Sequence, residues 1–247
     1  MAILGSFLKD LMINEFKNTK RKKGPYLYHV NTVQTAITFL NNNGLLSRGA
    51  VEELGLKQTE QQTDAKDKAF GIYYDVFLDS CDIHYMCGNY CYYGPVSFRY
   101  NVDLLDDLDA ERKIIEVTKS NPISWDNNDY SNREEHYFNE TSIQSPVDGF
   151  TLDNFKQHVT IVNMHDPLSF TRLDGIRLDE PDDNEQHQKL FIQAKEYLKK
   201  LVEGLNESNG LNISFSIRNT CKQNCCCKEN YKIMNDNDFY KFYGFEE

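Results

Sequence analysis

No stretch of the 247-residue chain approaches the roughly 20 uninterrupted apolar residues that a membrane span requires. Met1 to Asp10, followed by a Lys/Arg cluster, holds no secretory apolar block closed by small residues. These absences predict a soluble, unprocessed, cytoplasmic chain with no membrane partner. The cysteines do not pair off: there are seven, with no secretory segment, so a secreted disulfide framework is excluded and a reducing compartment fits. The acceptor patterns at Asn139-Glu140-Thr141, Asn206-Glu207-Ser208 and Asn212-Ile213-Ser214 then carry no meaning as glycosylation sites. Positive charge is scarce beyond the N-terminus. Residues 1–24 hold six Lys/Arg against two acids, which leaves 21 against 36 in the remainder and a net charge of −11 overall. An acidic body disfavours a stable duplex complex, which gains from a basic stripe, but leaves open a local contact or a small anion held by one arginine. No internal repeat is visible.

What is present is a globule: 40% hydrophobic residues and 13% aromatics support a packed core and exclude disorder, collagen or a coiled coil as the whole answer. Leu4, Phe7, Leu8, Leu11 and Met12 recur at helical spacing, so residues 1–24 read as an amphipathic helix and a basic linker. This helix could pack on a second copy, which leaves a homodimer open. A principal domain follows over residues 25–220, then a Cys-rich arm over 221–247. Residues 26–30 read as a strand. Asn31 and Thr32 are possible helix caps, Val33, Ala36, Ile37 and Leu40 share one helical face, and Gly44 is a stop. Residues 49–69 read as a polar surface loop or poorly ordered helix. Strand signals occupy residues 71–78 and 92–100, with an irregular excursion between them, and an acidic helix is expected over residues 104–117. Short extended segments follow at residues 134–138, 158–162, 169–173 and 211–217. Leu190, Ala194, Leu198, Leu201 and Leu205 mark the clearest helix. The class is mixed α+β.

Two constellations carry chemistry. In the first, His29 stands at a strand end beside Asn31 and Thr32, and Gly44, Ser47 and Arg48 return one helix later. Imidazole and hydroxyl groups can bond sugar hydroxyls and a guanidinium can meet phosphate, although a strand-end histidine also serves as a structural residue. In the second, Arg133-Glu134-Glu135-His136-Tyr137-Phe138 carries a carboxylate into an extended segment. Alternation puts Glu135 on one face with Tyr137. Such a carboxylate can bond a ribose hydroxyl and stabilise charge at an anomeric carbon; the alternative is an exposed edge with a weak Arg–Glu pair.

Together, Leu27-Tyr28-His29-Val30-Asn31-Thr32, the next helix, Gly44-Leu45-Leu46-Ser47-Arg48 and the Glu135 segment resemble the DarT-like branch of the NAD-dependent ADP-ribosyltransferases over residues 26–165. The threonine falls three residues after His29 instead of two, so Asn31 takes its place. The resemblance implies a split β-sheet core with flanking helices and NAD as substrate. It implies that His29, with Asn31 and Thr32, lies at the adenosine-side ribose, and that phosphates lie near Gly44, Ser47 and Arg48. A stacking tyrosine is drawn from Tyr73, Tyr74, Tyr92 and Tyr93. Glu135 would serve as the catalytic carboxylate beside Arg48. The implied acceptor is macromolecular, a single-stranded nucleic-acid base or a protein side chain, and a toxin or defence role comes with the branch.

Three other readings compete. Asp75, Asp79, Asp82 and His84 could hold a divalent metal for phosphoester hydrolysis. Cys221, Cys225, Cys226 and Cys227 could bind zinc or form a reduced surface cluster. The domain could also be a binding module without turnover.

Overall fold

The computed structural model describes residues 2–18, 24–61, 63–85, 93–126, 133–152, 154, 156–218 and 231–246. The four C-terminal cysteines and Tyr92 lie outside the described residues.

A seven-stranded sheet organises the chain. Its strands are β1 (Tyr26–Asn31), β3 (Val76–Asp79), β4 (Val96–Asn101), β5 (Ile115–Val117), β6 (His158–Ile161), β8 (Leu173–Asp179) and β9 (Ser214–Arg218), in the order β5-β6-β3-β1-β4-β8-β9. Every pairing is antiparallel except β8–β9. β2 (Gly44–Leu45) and β7 (Leu168–Ser169) form a separate two-stranded ladder. The expected mixed α+β class is the observed one.

The sheet is split between β1 and β3. β1 runs in full register with β4, from Tyr26 opposite Asn101 to Asn31 opposite Val96, but meets β3 at the single pair Tyr28–Asp79. Beyond that pair the two strands share no ladder, and the backbone groups there need other partners. The Phe77 carbonyl finds one in the imidazole of His29, at 2.9 Å.

Helix α2 (Val33–Asn41) forms where the sequence predicts it. Thr32 is its N-cap, with the side-chain oxygen accepting from the Thr35 N–H, and Val33, Ala36, Ile37 and Leu40 are all buried. α1 (Gly5–Lys17) is also as expected, but its apolar face is used inside the chain. Leu8 and Met12 join the main core, and the helix packs on α5 (Leu104–Ala110), whose Asp109 accepts from the N–H groups of Gly5 and Ser6. α3 (Arg48–Glu53) and α4 (Asp64–Ala69) occupy the segment expected to be loop or poorly ordered helix. The long α6 (Glu185–Asn209) starts at the Asn184 cap and stops at Gly210 in the left-handed conformation that glycine tolerates best. No helix among the described residues is long and apolar enough to cross a membrane.

Three expectations are corrected. The acidic helix over residues 104–117 ends at Ala110; Arg112 adopts a positive φ and the chain turns into β5. The extended segment at 169–173 is a 3-10 turn, Phe170–Arg172, and the long strand starts only at Leu173. The extended segment at 134–138 is the 3-10 turn Arg133–His136, followed by an isolated bridge between Tyr137 and Thr118. Buried aromatic packing fixes that turn: the imidazole of His136 stacks on Trp125 at 4.3 Å and Tyr137 is 1% exposed.

At the far edge of the sheet, Asp179 is fully buried. Its carboxylate receives both Nε and Nη2 of Arg218 at 2.7 and 2.6 Å and the Tyr231 hydroxyl at 3.1 Å. The Tyr243 hydroxyl, on α7 (Asp236–Tyr243), donates to the Asp179 carbonyl.

Candidate functional site

The gap between β1 and β3 opens into a cavity of about 120 Å³. Its walls come from β1 (His29, Asn31), β3 (Phe77, Asp79), β6 (His158), the Ser47–Arg48 turn, Gln58, Gln61, Thr63 and Asp67, and the 121–123 loop. Space of this size admits about one aromatic ring.

On the β1 side two side chains, His29 and Asn31, are fixed by each other and by backbone groups. The Thr32 N–H donates to Asn31 Oδ1 at 2.9 Å, which orients the amide so that Nδ2 faces His29 Nε2 at 3.4 Å. The Phe77 carbonyl can only accept, so His29 carries its proton on Nδ1 and presents Nε2 as an acceptor. Burial pushes the His29 pKa below the usual histidine value, against the opposing pull of the Phe77 carbonyl and Asp79. The imidazole is therefore neutral near pH 7.

Arg48 opens α3 behind the Ser47 cap. Its Nη1 donates to the Thr59 carbonyl at 2.9 Å and its Nη2 to Asp64 Oδ2 at 2.7 Å. Its Nε is buried and finds no partner among the described residues, as is true of Asp64 Oδ1 and Gln58 Oε1. The arm carrying these groups is pinned over the cavity. The Thr59 hydroxyl lies 2.7 Å from that of Thr32, and the Thr59 N–H donates to Thr35 Oγ1 at 3.0 Å. Asp67, on the same wall, has its pKa raised to about 6, chiefly by burial.

On the opposite wall Asp79 and His158 face each other as a cross-strand pair of β3 and β6. Asp79 Oδ1 lies 2.8 Å from His158 Nδ1, close enough for ion pairing but off the line of a regular hydrogen bond. The His158 ring packs edge-on against Phe77.

His29, Asn31, Ser47 and Arg48 therefore converge on one cavity. Thr32 lies behind it as a helix cap. Ser47 also has structural duties, capping α3 and donating to the Met164 carbonyl at 2.7 Å. Gly44 lies away from the cavity, where a Cβ would meet the Leu168 carbonyl oxygen at 2.5 Å, so its smallness serves the β2–β7 ladder. Tyr73 also points elsewhere, with its hydroxyl bonded to Glu52 and its ring under Lys68. Tyr74 lies against His165, and Tyr93 is the candidate tyrosine that lines the cavity among the described residues. Glu135 is exposed on its 3-10 turn, its carbonyl accepting from Lys119 Nζ, and is not among the described lining residues.

The metal set is dispersed. Asp75 accepts from the Asn163 N–H and Asp79 faces His158, whereas Asp82 pairs with Arg177 and His84 lies 3.3 Å from Asp179. Among the described residues no group of three or more His, Cys, Asp or Glu is placed to hold a metal ion. Sequence reasoning did not single out His158 and Asp67, which line the cavity, or Thr59 and Asp64, which hold Arg48. The first is linked to Asp79 only through strand register, and the others looked like an ordinary polar loop.

No family model matches the chain, and no curated protein matches it. Solved structures similar to it include Thermus sp. 2.9 DarT in complex with ADP-ribosylated ssDNA, at 11% identity and TM-score 0.44 over 78% of this chain and 93% of that one. The same protein in complex with NAD+ is similar at 12% identity and TM-score 0.40, over 78% of this chain and 94% of that one. Its complex with carba-NAD+ is similar at 11% identity and TM-score 0.39. A likeness at this level assigns no residue a role.

Proposed function

We propose that the cavity binds NAD and that the chain is an ADP-ribosyltransferase, moving ADP-ribose to a nucleic-acid base or protein side chain with release of nicotinamide. The observation that carries this reading is that Arg48, whose Nε is buried and finds no partner among the described residues, lines the same cavity as His29 with its acceptor Nε2. A guanidinium with an open edge suits a pyrophosphate oxygen, and a neutral imidazole acceptor suits a ribose hydroxyl. The hydroxyl takes the place of Asn31 Nδ2, whose 3.4 Å bond is the weakest in that chain of contacts. The cavity, at about 120 Å³ with Phe77 and Tyr93 among its lining residues, suits one nicotinamide ring. The remainder of the dinucleotide needs the arm around Thr59 and Asp64 to move.

Nicotinamide release from NAD by the purified full chain tests this, with and without a cell extract as acceptor source. Extract pretreated with nuclease or with protease separates the two acceptor classes. Arg48→Met is expected to lose NAD binding by calorimetry, and Glu135→Gln to retain it. Wild-type protein that neither binds NAD nor releases nicotinamide overturns the reading.

A further inference from the structure

We propose that His158, held by Asp79, is the general base that removes the acceptor's proton. This rests on the transferase reading above. The cavity contains two imidazoles, and their surroundings differ in the way that acid–base chemistry requires. His29 donates its Nδ1 proton to a backbone carbonyl and has no carboxylate bonded to either nitrogen, and burial outweighs the pull of the Phe77 carbonyl and Asp79 on its imidazolium. His158 has a carboxylate oxygen 2.8 Å from Nδ1, within ion-pair distance although off the line of a hydrogen bond, and it lines the cavity. A carboxylate within ion-pair distance of one ring nitrogen stabilises the cation that forms when the other nitrogen takes up a proton as base. Both residues sit in strands of one sheet, and the His158 backbone N–H is anchored on the Thr118 hydroxyl at 2.8 Å. A pair built on rigid elements holds its geometry through turnover.

The step balances without a redox partner. The bond between the ribose anomeric carbon and the pyridinium nitrogen breaks, and its electron pair leaves with neutral nicotinamide. The acceptor's O–H or N–H nucleophile forms the new bond to that carbon, and its proton passes to His158 Nε2. The resulting imidazolium, beside Asp79, later returns the proton to solvent. Asp79 acts through His158 and is a positioning residue. The base matters for acceptors that are neutral and poor nucleophiles until they lose a proton; a carboxylate acceptor would need none.

The test uses NAD with water as the probe acceptor, so that no unidentified partner is required. His158→Gln should lower kcat for nicotinamide release about 100-fold or more with KM for NAD within about threefold, the range expected for loss of a general base. His158→Ala should recover activity on addition of free imidazole, which a purely structural role cannot reproduce. The wild-type pH profile should show one ionisation on its acidic limb that His158→Gln removes and Asp79→Asn shifts to lower pH. The other titratable groups on the cavity walls are His29, Arg48, Asp67, Asp75 and Tyr93, and His29→Gln should leave that limb in place. Unaltered kcat in a folded His158→Gln, or no imidazole rescue of His158→Ala, overturns the base assignment while the transferase reading stands. Failure of the wild type to bind NAD or release nicotinamide overturns both.

Discussion

Replacing Asp64 by Asn should tighten NAD binding, because the carboxylate occupies the guanidinium that the pyrophosphate would use. Arg48 Nη2 and Asp64 Oδ2 are 2.7 Å apart, with side chains 15% and 20% exposed. A hydrogen bond between charged groups in such a half-desolvated place contributes about 1.5–3 kcal/mol, and an incoming anion must displace it. Asparagine keeps an oxygen for the Gln61 N–H, which now donates to Asp64 Oδ2 at 3.1 Å, but it removes the competing charge. About 1–2 kcal/mol of that competition should disappear, a five- to thirtyfold lower Kd. Calorimetric titration of NAD into wild type, Asp64→Asn, Arg48→Met and the double variant forms a double-mutant cycle. The gain should be present with Arg48 and absent without it. An unchanged or higher Kd in Asp64→Asn, or a gain that survives Arg48→Met, would refute the idea that Asp64 competes for the anion site.

Two further perturbations follow from the same walls. Asp67, raised to about 6 by burial, holds its proton in the folded state over a range where the unfolded chain has already released it. Its contribution to stability is therefore present below about pH 4 and is lost as pH rises to about 6, so Asp67→Asn should stabilise the protein at pH 7 by up to about 3 kcal/mol. Urea titrations at pH 4.5 and 7 check this, and equal effects at both would count against it. Gly94 has φ +122° and its missing Cβ would stand 2.5 Å from the Asn31 carbonyl, so Gly94→Ala should cost at least about 2 kcal/mol and weaken NAD binding by displacing Asn31. A neutral outcome in a denaturant melt would show that the strand end is less constrained than this geometry implies.

The parts of the fold that were legible are those in which several local signals agree. From Tyr26 to Asn41, β-branched and aromatic residues, a threonine cap and helical spacing all point to the observed strand and helix, whereas the stop expected at Gly44 comes earlier, at the Asn42 cap and a left-handed Asn43, and Gly44 opens β2. The Glu135 segment misled because five residues of mixed polarity alternate as a half-buried strand would, while the deciding force is the stacking of His136 on Trp125, which alternation does not report. The 104–117 segment misled because acidic helix formers run into a β-branched tail, and the break is a left-handed Arg112 that no composition rule marks. His29, Asn31, Ser47 and Arg48 were readable as a group because one strand and one helix separate them. Asp79 and His158 were not, because their proximity depends on which strands pair and in what register.

The buried Asp179 also bears on how the molecule matures. Its carboxylate receives Arg218 and Tyr231, groups some 40 to 50 residues further along the chain, beside His84 at 3.3 Å, and its carbonyl is bonded by Tyr243. A chain synthesised or cleaved short of these residues loses the bidentate guanidinium and leaves the Asp179 carboxylate with His84 alone of these partners, a penalty of several kcal/mol. Strands β1, β3 and β6, which build the cavity, all precede that point in sequence. The nascent site is thus encoded early, while the groups that pair with Asp179 from β9 onward are supplied late.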